Sequence, residues 1–292
     1  MTGPATVDDE FEAQRAYLEA VAYRMLGSVS EAQDAVQECW LRLRRADRSV
    51  ITNLEAWLTR VLARICLDLL GSARARREEY VGQWLPEPVL GEQAVPDPAD
   101  RVTLDESVGM ALLVVLETLT PAERTAFVLH DVFGLAFDEL AEIVGRSPAA
   151  VRKLASRARA NVQARRPRFD PDPAGHRRAV EAFLRAARSG DLAALVELLD
   201  PDVVWRSDAA GQPGVPRGPV QGAAAVAAMV LRQAPHYVEH ARLVTFSGWP
   251  GVLVVQDNHP IAAIAFTVAS GRITEVGAVY NPDKLRHLRI TS

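Results

Sequence analysis

Residues 137–166 read FDELAEIVGRSPAAVRKLASRARANVQARR, and their pattern sets the architecture of the N-terminal half. The part up to Val144 is apolar and mildly acidic, which is typical of a helix with one buried face. Gly145 permits a tight turn, and Ser147 followed by Pro148 is typical of an N-cap and the first residue of a helix. The pattern therefore predicts a helix-turn-helix.

Both predicted helices place one apolar stripe toward a common core, because their apolar residues recur every three or four positions. In the first helix the stripe consists of Phe137, Leu140, Ala141 and Val144. In the second helix it consists of Val151, Leu154, Ala155, Ala158 and Val162. The rest of the second helix surface is left to polar and basic side chains.

Positive charge is concentrated on the second helix and its flanks. From Arg146 to Arg168 there are eight Arg or Lys residues and no Asp or Glu, although the net charge of the chain is −4. This charge beside a helix N-terminus favours contact with DNA phosphates and a position in the major groove. A solvated basic helix in an ordinary bundle is the alternative. The candidate contacts are Arg146, Ser147, Arg152, Lys153, Ser156, Arg157 and Arg159.

Bulk composition limits the class of protein. A chain of 292 residues with 49% hydrophobic content can build more than one core. No apolar run approaches the roughly 20 residues that span a bilayer, and the acidic N-terminus has no signal-peptide core. Cys39 and Cys66 lie on apolar helix faces without CxxC spacing, which predicts buried, reduced thiols. Together these features predict a cytoplasmic protein.

The chain divides by pattern into four segments. Residues 8–79 and 104–168 read as helices, and Ser30 is the expected N-cap of the second helix. Residues 80–103 are rich in Pro, Gly and acids, which predicts an extended linker, although its WLPEP sequence is unusual for one. Residues 174–288 begin with a helix and continue as β-branched segments, which predicts an α+β domain with a curved antiparallel sheet.

The helical segments resemble the extracytoplasmic-function (ECF) sigma factors of bacterial RNA polymerase. Residues 31–77 resemble sigma region 2, and residues 116–162 resemble sigma region 4. WLPEP, and NPDKL at 281–285, resemble signatures of the ECF group with a SnoaL-like, or NTF2-like, C-terminal extension. Where that group commonly shows Asp-Gly-Gly-Gly-Lys, Asp208 remains but two glycines and the lysine are replaced. The resemblance implies a multidomain fold of two all-α sigma regions followed by an α+β cone.

The resemblance also implies core RNA polymerase and promoter DNA as partners. The β′ coiled coil and the β flap of the polymerase are the implied docking points, with Asp34, Gln37 and Glu38 facing the coiled coil. Asn53 is either a base contact or an N-cap, and Trp57 either stacks on a base or packs in the core. The candidate contacts to the −10 element are Thr52, Asn53, Arg60, Arg64, Arg74, Arg76 and Arg77.

The C-terminal extension is predicted to be a tethered regulator. A tethered domain acts at high effective concentration, so weak contacts within the chain suffice and a separate anti-sigma factor is compatible but not required. The hypothesis is that the extension packs against the linker and region 2. The residues assigned to this contact are Trp84, Leu85, Pro86, Asn281, Pro282, Asp283, Lys284 and Leu285.

Two alternative functions remain open from the residues. One is a helix-turn-helix regulator that acts without polymerase. The other is an enzyme or ligand sensor, because some proteins with SnoaL-like folds use an Asp/His pair. No cofactor is predicted, and no pair of residues has convincing metal-ligand spacing. The candidates for such a pocket are Trp205, Asp208, His236, Tyr237, His240, Asp257 and His259.

Overall fold

A computed structural model describes residues 6–78, 80–91, 109–165, 170 and 172–288 of the chain. The chain forms two compact units. The first consists of Met1–Glu78, Ala94–Leu104 and Val115–Arg165. The second consists of Glu79–Gln93, Asp105–Val114 and Arg166–Ser292, so the WLPEP segment belongs with the C-terminal domain. None of the described helices is both long and apolar enough to cross a membrane.

The first unit begins with three helices, α1 (Val7–Leu26), α2 (Val29–Arg45) and α3 (Leu54–Glu78). Gly27 ends α1 in the left-handed conformation at φ 73°, which glycine adopts without steric cost. The prediction that Ser30 caps α2 is wrong. Ser28 is the N-cap, because its Oγ accepts a hydrogen bond from the backbone N–H of Glu31 at 3.1 Å.

The three helices bury one apolar stripe each against the other two. In α3 the buried residues include Leu58, Leu62, Ile65 and Cys66, whereas Trp57 and Val61 are only half-buried. The helical spacing of the sequence predicts a stripe through Trp57, Val61, Ile65 and Leu69, and of these four Ile65 alone is buried. The neighbouring row with Leu58, Leu62 and Cys66 takes the inward position. Both rows are apolar in this helix, so the local pattern alone could not choose between them.

The first unit continues with a second group of helices. They are the end of α4 (Gly109–Leu116), then α5 (Pro121–Phe127), a π-helical turn (Val128–Val132), α6 (Phe137–Val144) and α7 (Pro148–Arg165). Gly145 between α6 and α7 has φ 69°, which the tight turn requires. The predicted helix-turn-helix therefore forms from α6 and α7.

The core of the helix-turn-helix agrees with the sequence in α7 and differs in α6. All five predicted residues of α7 are buried. In α6, Leu140 and Ile143 are buried, whereas Phe137 and Val144 are half-buried. The predicted α6 stripe is thus wrong at Val144, because the neighbouring Ile143 takes the inward position.

The second unit is an α+β domain. Its helices are α8 (Pro173–Ser189), α9 (Leu192–Leu198), α10 (Ala223–Tyr237) and α11 (Pro282–Leu285). Its strands are β1 (Leu199–Asp208), β2 (Val220–Gln221), β3 (Ala241–Phe246), β4 (Trp249–Gln256), β5 (His259–Ala269) and β6 (Arg272–Val279). The sequence pattern missed α10.

The six strands form one sheet in the order β2-β1-β6-β5-β4-β3. Neighbouring strands are antiparallel except β1 and β6, which run parallel from Val204↔Glu275 to Asp208↔Val279. The prediction of an antiparallel sheet is therefore wrong for the β1–β6 pair. The parallel pairing places the end of β1, at Asp208, beside the end of β6, where the NPDKL sequence begins.

The two faces of the sheet have different covers. One face packs against α8, α9 and α10 in a core that includes Phe183, Trp205 and Phe266. The other face packs against Leu85 from the WLPEP segment and Leu285 and Leu288 from the C-terminal end. Linker and C-terminal residues therefore complete the second face of the sheet.

Candidate promoter and linker-docking surfaces

The start of α7 has the geometry expected of a recognition helix. Ser147 Oγ accepts a hydrogen bond from the Ala150 N–H at 3.3 Å, and Pro148 is the first helical residue. The predicted DNA-contacting side chains of this region are all exposed, as groove contact requires. They are Arg146, Ser147, Arg152, Lys153, Ser156, Arg157 and Arg159.

Two arginines of α7 are held by the preceding helix and turn. Arg159 Nε donates to Asp131 Oδ1 at 2.5 Å, and the side chain of Asp131 is only 13% exposed. The Arg152 guanidinium lies 5.4 Å from the centroid of the Phe137 ring, within cation–π range. The other ring neighbour of Phe137 is His130, at a centroid distance of 3.9 Å. The two arginine contacts join residues 15 and 28 positions apart, which local spacing in the sequence does not reveal.

The candidate polymerase surface lies on α2. Asp34 and Gln37 are exposed, and Glu38 is half-buried and ion-paired with Arg42 at 2.8 Å. Leu41, one turn beyond Gln37, is 39% exposed, which is unusual for a large apolar side chain. The helix therefore presents a mixed acidic, amide and apolar face.

The candidate −10 surface includes the loop that precedes α3. Thr52 and Asn53 are exposed, and Val50 is 72% exposed. The Ala56 N–H donates to Asn53 Oδ1 at 3.0 Å, so Asn53 caps α3 in this state. Trp57 is half-buried, which leaves part of its ring accessible.

The basic side chains of α3 are in different environments. Arg60 Nη1 pairs with Glu142 Oε2 of α6 at 3.1 Å, and both side chains are largely exposed. Arg64 is exposed. The side chains of Arg74, Arg76 and Arg77 lie outside the part of the chain that the structure describes. Arg60, one of the residues predicted to contact the −10 element, is therefore ion-paired with the first helix of the helix-turn-helix.

The WLPEP segment is bound to Asp208 at the end of β1. Asp208 is fully buried, and its Oδ2 accepts the backbone N–H of Leu85 at 2.7 Å. The Tyr80 hydroxyl donates to the other carboxylate oxygen and accepts a hydrogen bond from Asn281 Nδ2 at 2.9 Å. Burial and this carboxylate contact raise the pKa of Tyr80 above its ordinary value.

Lys284, which belongs to the NPDKL sequence, also contacts Asp208 and the WLPEP segment. Its Nζ lies 2.7 Å from Asp208 Oδ2, donates to the Leu85 carbonyl, and lies 3.8 Å from the centroid of the Trp84 ring. A lysine that is 7% exposed thus makes an ion pair, a backbone hydrogen bond and a cation–π contact. The linker and the C-terminal signature share one buried charge pair.

The other residues predicted for this contact differ in burial. Leu85 and Pro86 are buried, and Leu285 packs in the same core as Leu85. Pro282 and Asp283 are exposed. Asn281 caps α11, because its Oδ1 accepts the Asp283 N–H at 3.0 Å.

The far end of the segment joins the sheet edge. The Ser247 N–H donates to the Val89 carbonyl and the Gly91 N–H donates to the Thr245 carbonyl, both at 2.9 Å. Leu90 forms an isolated antiparallel bridge with Phe246. The segment is also held at Pro88, which lies between Leu85 and Val89, because its carbonyl accepts a hydrogen bond from His287 Nε2 at 2.7 Å. Residues 80–91 are therefore fixed along their length.

The residues considered for an Asp/His pair do not converge. Asp208 is occupied by the linker contacts, and Trp205 Nε1 donates to Ser207 Oγ at 3.0 Å. In the described part of the chain, no hydrogen bond joins a histidine ring to either candidate carboxylate. Tyr237 is half-buried, and its ring centroid lies 6.0 Å from that of Tyr280. The candidates exposed at helix ends and turns are His236, His240, Asp257 and His259.

The cysteines are buried, as the sequence predicts. Burial raises the pKa of the Cys39 thiol to about 12 and also raises the pKa of Cys66. Among the described residues, no group of three His, Cys, Asp or Glu side chains could hold a metal ion.

Fold and surfaces together define a DNA-binding protein of two helical regions with an appended α+β domain. Three family models match the chain. They are Sigma-70 region 2 over residues 11–76, Sigma-70 region 4 over residues 109–162, and a SnoaL-like domain over residues 180–276.

Known proteins resemble the chain over nearly its whole length. It is 41% identical over 289 residues to the ECF RNA polymerase sigma factor SigJ of Mycobacterium tuberculosis, covering 94% of this chain and 92% of SigJ. It is 38% identical over 287 residues to the probable ECF RNA polymerase sigma factor SigI of the same species, covering 97% and 96%. The crystal structure of SigJ matches with a TM-score of 0.76 and 38% identity, covering 95% of this chain and 97% of that chain.

The chain therefore belongs to the ECF sigma factors of RNA polymerase, with a SnoaL-like C-terminal domain. The family and the multidomain fold predicted from the sequence are confirmed.

Proposed function

We propose that this protein binds core RNA polymerase, reads the −35 element with α7 and the −10 element with the loop before α3, and starts transcription. Its SnoaL-like domain regulates that activity by holding residues 80–91. The observation that carries the regulatory part is the Asp208–Lys284 ion pair, which closes on the backbone of Leu85.

The proposal for the −35 element rests on the exposed basic surface of α7. Residues in the first turn of a recognition helix reach base edges, and basic residues farther along contact phosphates. Arg152 and Lys153 are the fifth and sixth residues of α7, Ser156 follows about one turn later, and all three are exposed. Each productive arginine–guanine contact is worth about 1–3 kcal/mol of discrimination.

The proposal for the −10 element and polymerase rests on the exposed loop and α2. Thr52 and Asn53 present hydrogen-bonding groups, and the partly accessible Trp57 ring offers a surface for base stacking. On α2, Asp34, Gln37 and the exposed Leu41 suit a partner helix that is basic and partly apolar, such as the β′ coiled coil. By the family likeness, region 4 docks on the β flap.

The regulatory proposal rests on how the segment between the sigma regions is attached. Residues 80–91 are bound at Asp208 at one end and at the β3–β4 turn at the other. A bound segment is shorter and stiffer than a free chain of the same length. The SnoaL-like domain therefore limits how far apart the two promoter-reading regions can move.

The test is in vitro transcription with purified core polymerase and this protein as the sole added factor. We expect specific transcripts, which a regulator that acts without polymerase does not produce. Truncation after residue 170 removes the whole SnoaL-like domain, and truncation after residue 280 removes only NPDKL and the residues beyond it. We expect both truncations to change promoter-directed output, and equal output from all three chains would overturn the regulatory part.

A further inference from the structure

Arg152 and Arg159 lie on the same flank of α7. They are seven residues apart, which is almost two full turns of an α-helix, so their side chains leave the helix about 20° apart. This flank faces the π-helical turn and the start of α6, which supply Asp131 and Phe137. Lys153 and Ser156 leave from the outer crest, and Arg157 leaves from the opposite flank.

The contact between Arg159 and Asp131 has the features of a structural brace. Asp131 Oδ1 accepts from Arg159 Nε at 2.5 Å, and Asp131 Oδ2 is buried without a hydrogen-bond partner among the described residues. The carboxylate therefore depends on Arg159, and removing one partner of such a pair leaves an uncompensated charge. Arg159 also lies about 10 Å farther along the helix axis than Arg152.

The contact between Arg152 and Phe137 has the features of a positioning device. The guanidinium lies over the Phe137 ring, and that ring packs against the His130 ring at an interplanar angle of 33°. His130 is fixed in turn, because its Nδ1 lies 2.8 Å from the Leu135 carbonyl. Arg152 is the fifth residue of α7, close to the helix N-terminus, where a held side chain loses less conformational freedom on reaching a base.

We propose that Asp131 and Phe137 divide the arginines of α7 between two roles. Asp131 retains Arg159 as a structural brace that does not contact DNA, and Phe137 positions Arg152 for the −35 element. The bases of the −35 element are then recognised by Arg152, Lys153, Ser156 and Arg157. This inference rests on the proposed function, since it concerns how that function selects its promoter.

The experiment uses the full chain with core polymerase and a linear DNA library with two randomised blocks at promoter spacing. Bound DNA is sequenced after selection, and binding of the selected DNA is measured against salt concentration. Arg159→Gln is compared with Arg157→Gln, a matched change two residues away on the other flank. In the described residues Arg157 has no carboxylate partner.

For the brace we expect the Arg159→Gln protein to select the same upstream block as the wild type. The dependence of its DNA affinity on salt concentration should also be unchanged, whereas its Tm should fall by about 2–4 °C or more. We expect Arg157→Gln to change the selected block or to reduce the salt slope by about 0.9 with little change in Tm. If Arg159→Gln is too unstable, the double variant Asp131→Asn/Arg159→Gln removes the stranded carboxylate. An altered upstream block in either Arg159 variant overturns the brace.

For the positioning role we expect the Phe137→Leu protein to lose base preference in the upstream block at the same position as the Arg152→Gln protein. The Phe137→Tyr protein keeps an aromatic ring, so we expect it to retain the wild-type base preference there. A Phe137→Leu protein that selects the wild-type block with wild-type preference overturns this role. If the wild-type holoenzyme selects no upstream block at all, the proposed −35 function fails. That result is distinct from an error in the division of arginines.

Discussion

Lys284 and Asp208 form an ion pair with 2.7 Å between Nζ and Oδ2, and their side chains are only 7% and 0% exposed. The pair is 76 residues apart in the chain and closes on a third segment, since both side chains also bond the backbone of Leu85. A buried charge pair with satisfied hydrogen bonds tolerates little displacement. Loss of either charge therefore acts on the fold and on the linker together.

The first prediction concerns removal of one charge. Lys284→Met leaves the Asp208 carboxylate buried without its cation, so we expect a loss of about 3–5 kcal/mol in the free energy of unfolding, measured with urea. Arg286→Met is the control, because the Arg286–Asp283 pair is exposed and worth at most about 1 kcal/mol. Adding Asp208→Asn to Lys284→Met should recover part of the loss. Equal stability of the Lys284 and Arg286 variants would contradict the structural role of the pair.

The second prediction concerns the apolar anchor of the linker. Leu85 is 1% exposed, so Leu85→Ala should cost about 2–5 kcal/mol of stability. It should also speed hydrogen exchange at the amides of Leu85 and Gly91, which are hydrogen-bonded in the native state. Val81→Ala, at a position that is 53% exposed, should change neither quantity by much. Unchanged exchange in Leu85→Ala would show that the linker is held without this side chain.

The third prediction concerns pH and His176. Burial lowers the pKa of His176 from 6.5 to about 4, so the folded state holds the neutral imidazole. The unfolded chain binds the extra proton between these values. Stability is therefore fully present above pH 6.5 and falls by up to roughly 3 kcal/mol as the pH approaches 4. The measurement is urea unfolding across this range.

The control for His176 uses an exposed histidine. His176→Phe keeps a ring beside Trp249, whose centroid lies 5.3 Å from that of His176, and should remove the slope of stability against pH. His259→Phe, in the exposed turn between β4 and β5, should keep the wild-type slope. A slope that survives in the His176 variant would assign it to other groups.

The fourth prediction concerns the two thiols. Since the thiolate is the reactive form and burial raises the pKa of Cys39 to about 12, neither Cys39 nor Cys66 should react with Ellman's reagent in the native protein at pH 8. Both should react in urea. Rapid reaction of one thiol in the native state would place it in an accessible environment.

The fifth prediction concerns the contact between α3 and α6. Arg60 and Glu142 are 45% and 69% exposed, so a double-mutant cycle with Arg60→Gln and Glu142→Gln should give a coupling below about 1 kcal/mol. The coupling should fall at high salt, because exposed charges are screened. A larger, salt-independent value would require a contact beyond this ion pair.

The accuracy of the sequence predictions varied with how distinct the apolar stripe was. In α7 the buried residues alternate with Arg, Lys and Ser, so only one face could turn inward, and all five predicted positions are buried. In α3 and α6 two neighbouring rows are apolar, and the prediction is only partly correct: Ile65 and Leu140 are buried, whereas Trp57 and Val144 are half-buried. The missed helix α10 is rich in alanine, which has high helix propensity but gives a weak apolar stripe.

The sequence by itself determined the family, the two sigma regions, the helix-turn-helix and the charge of α7. These depend on residue types at short spacings, where backbone geometry is periodic. It also indicated that WLPEP and NPDKL are related, although not through which atoms. The buried stripe of α7 and the end of α1 at Gly27 belong with these local features.

Only the tertiary structure decided the contacts of Asp208, Tyr80 and Lys284, and the different partners of Arg152 and Arg159. Asp208 and Lys284 are 76 residues apart, and they meet because parallel β1 and β6 bring two distant strand ends together. Tyr80 is 128 residues from Asp208 and joins this pair from the linker. A carboxylate has the same side chain in a catalytic pair and in a structural ion pair. Its burial and its partners, which local spacing does not specify, determine which role it has.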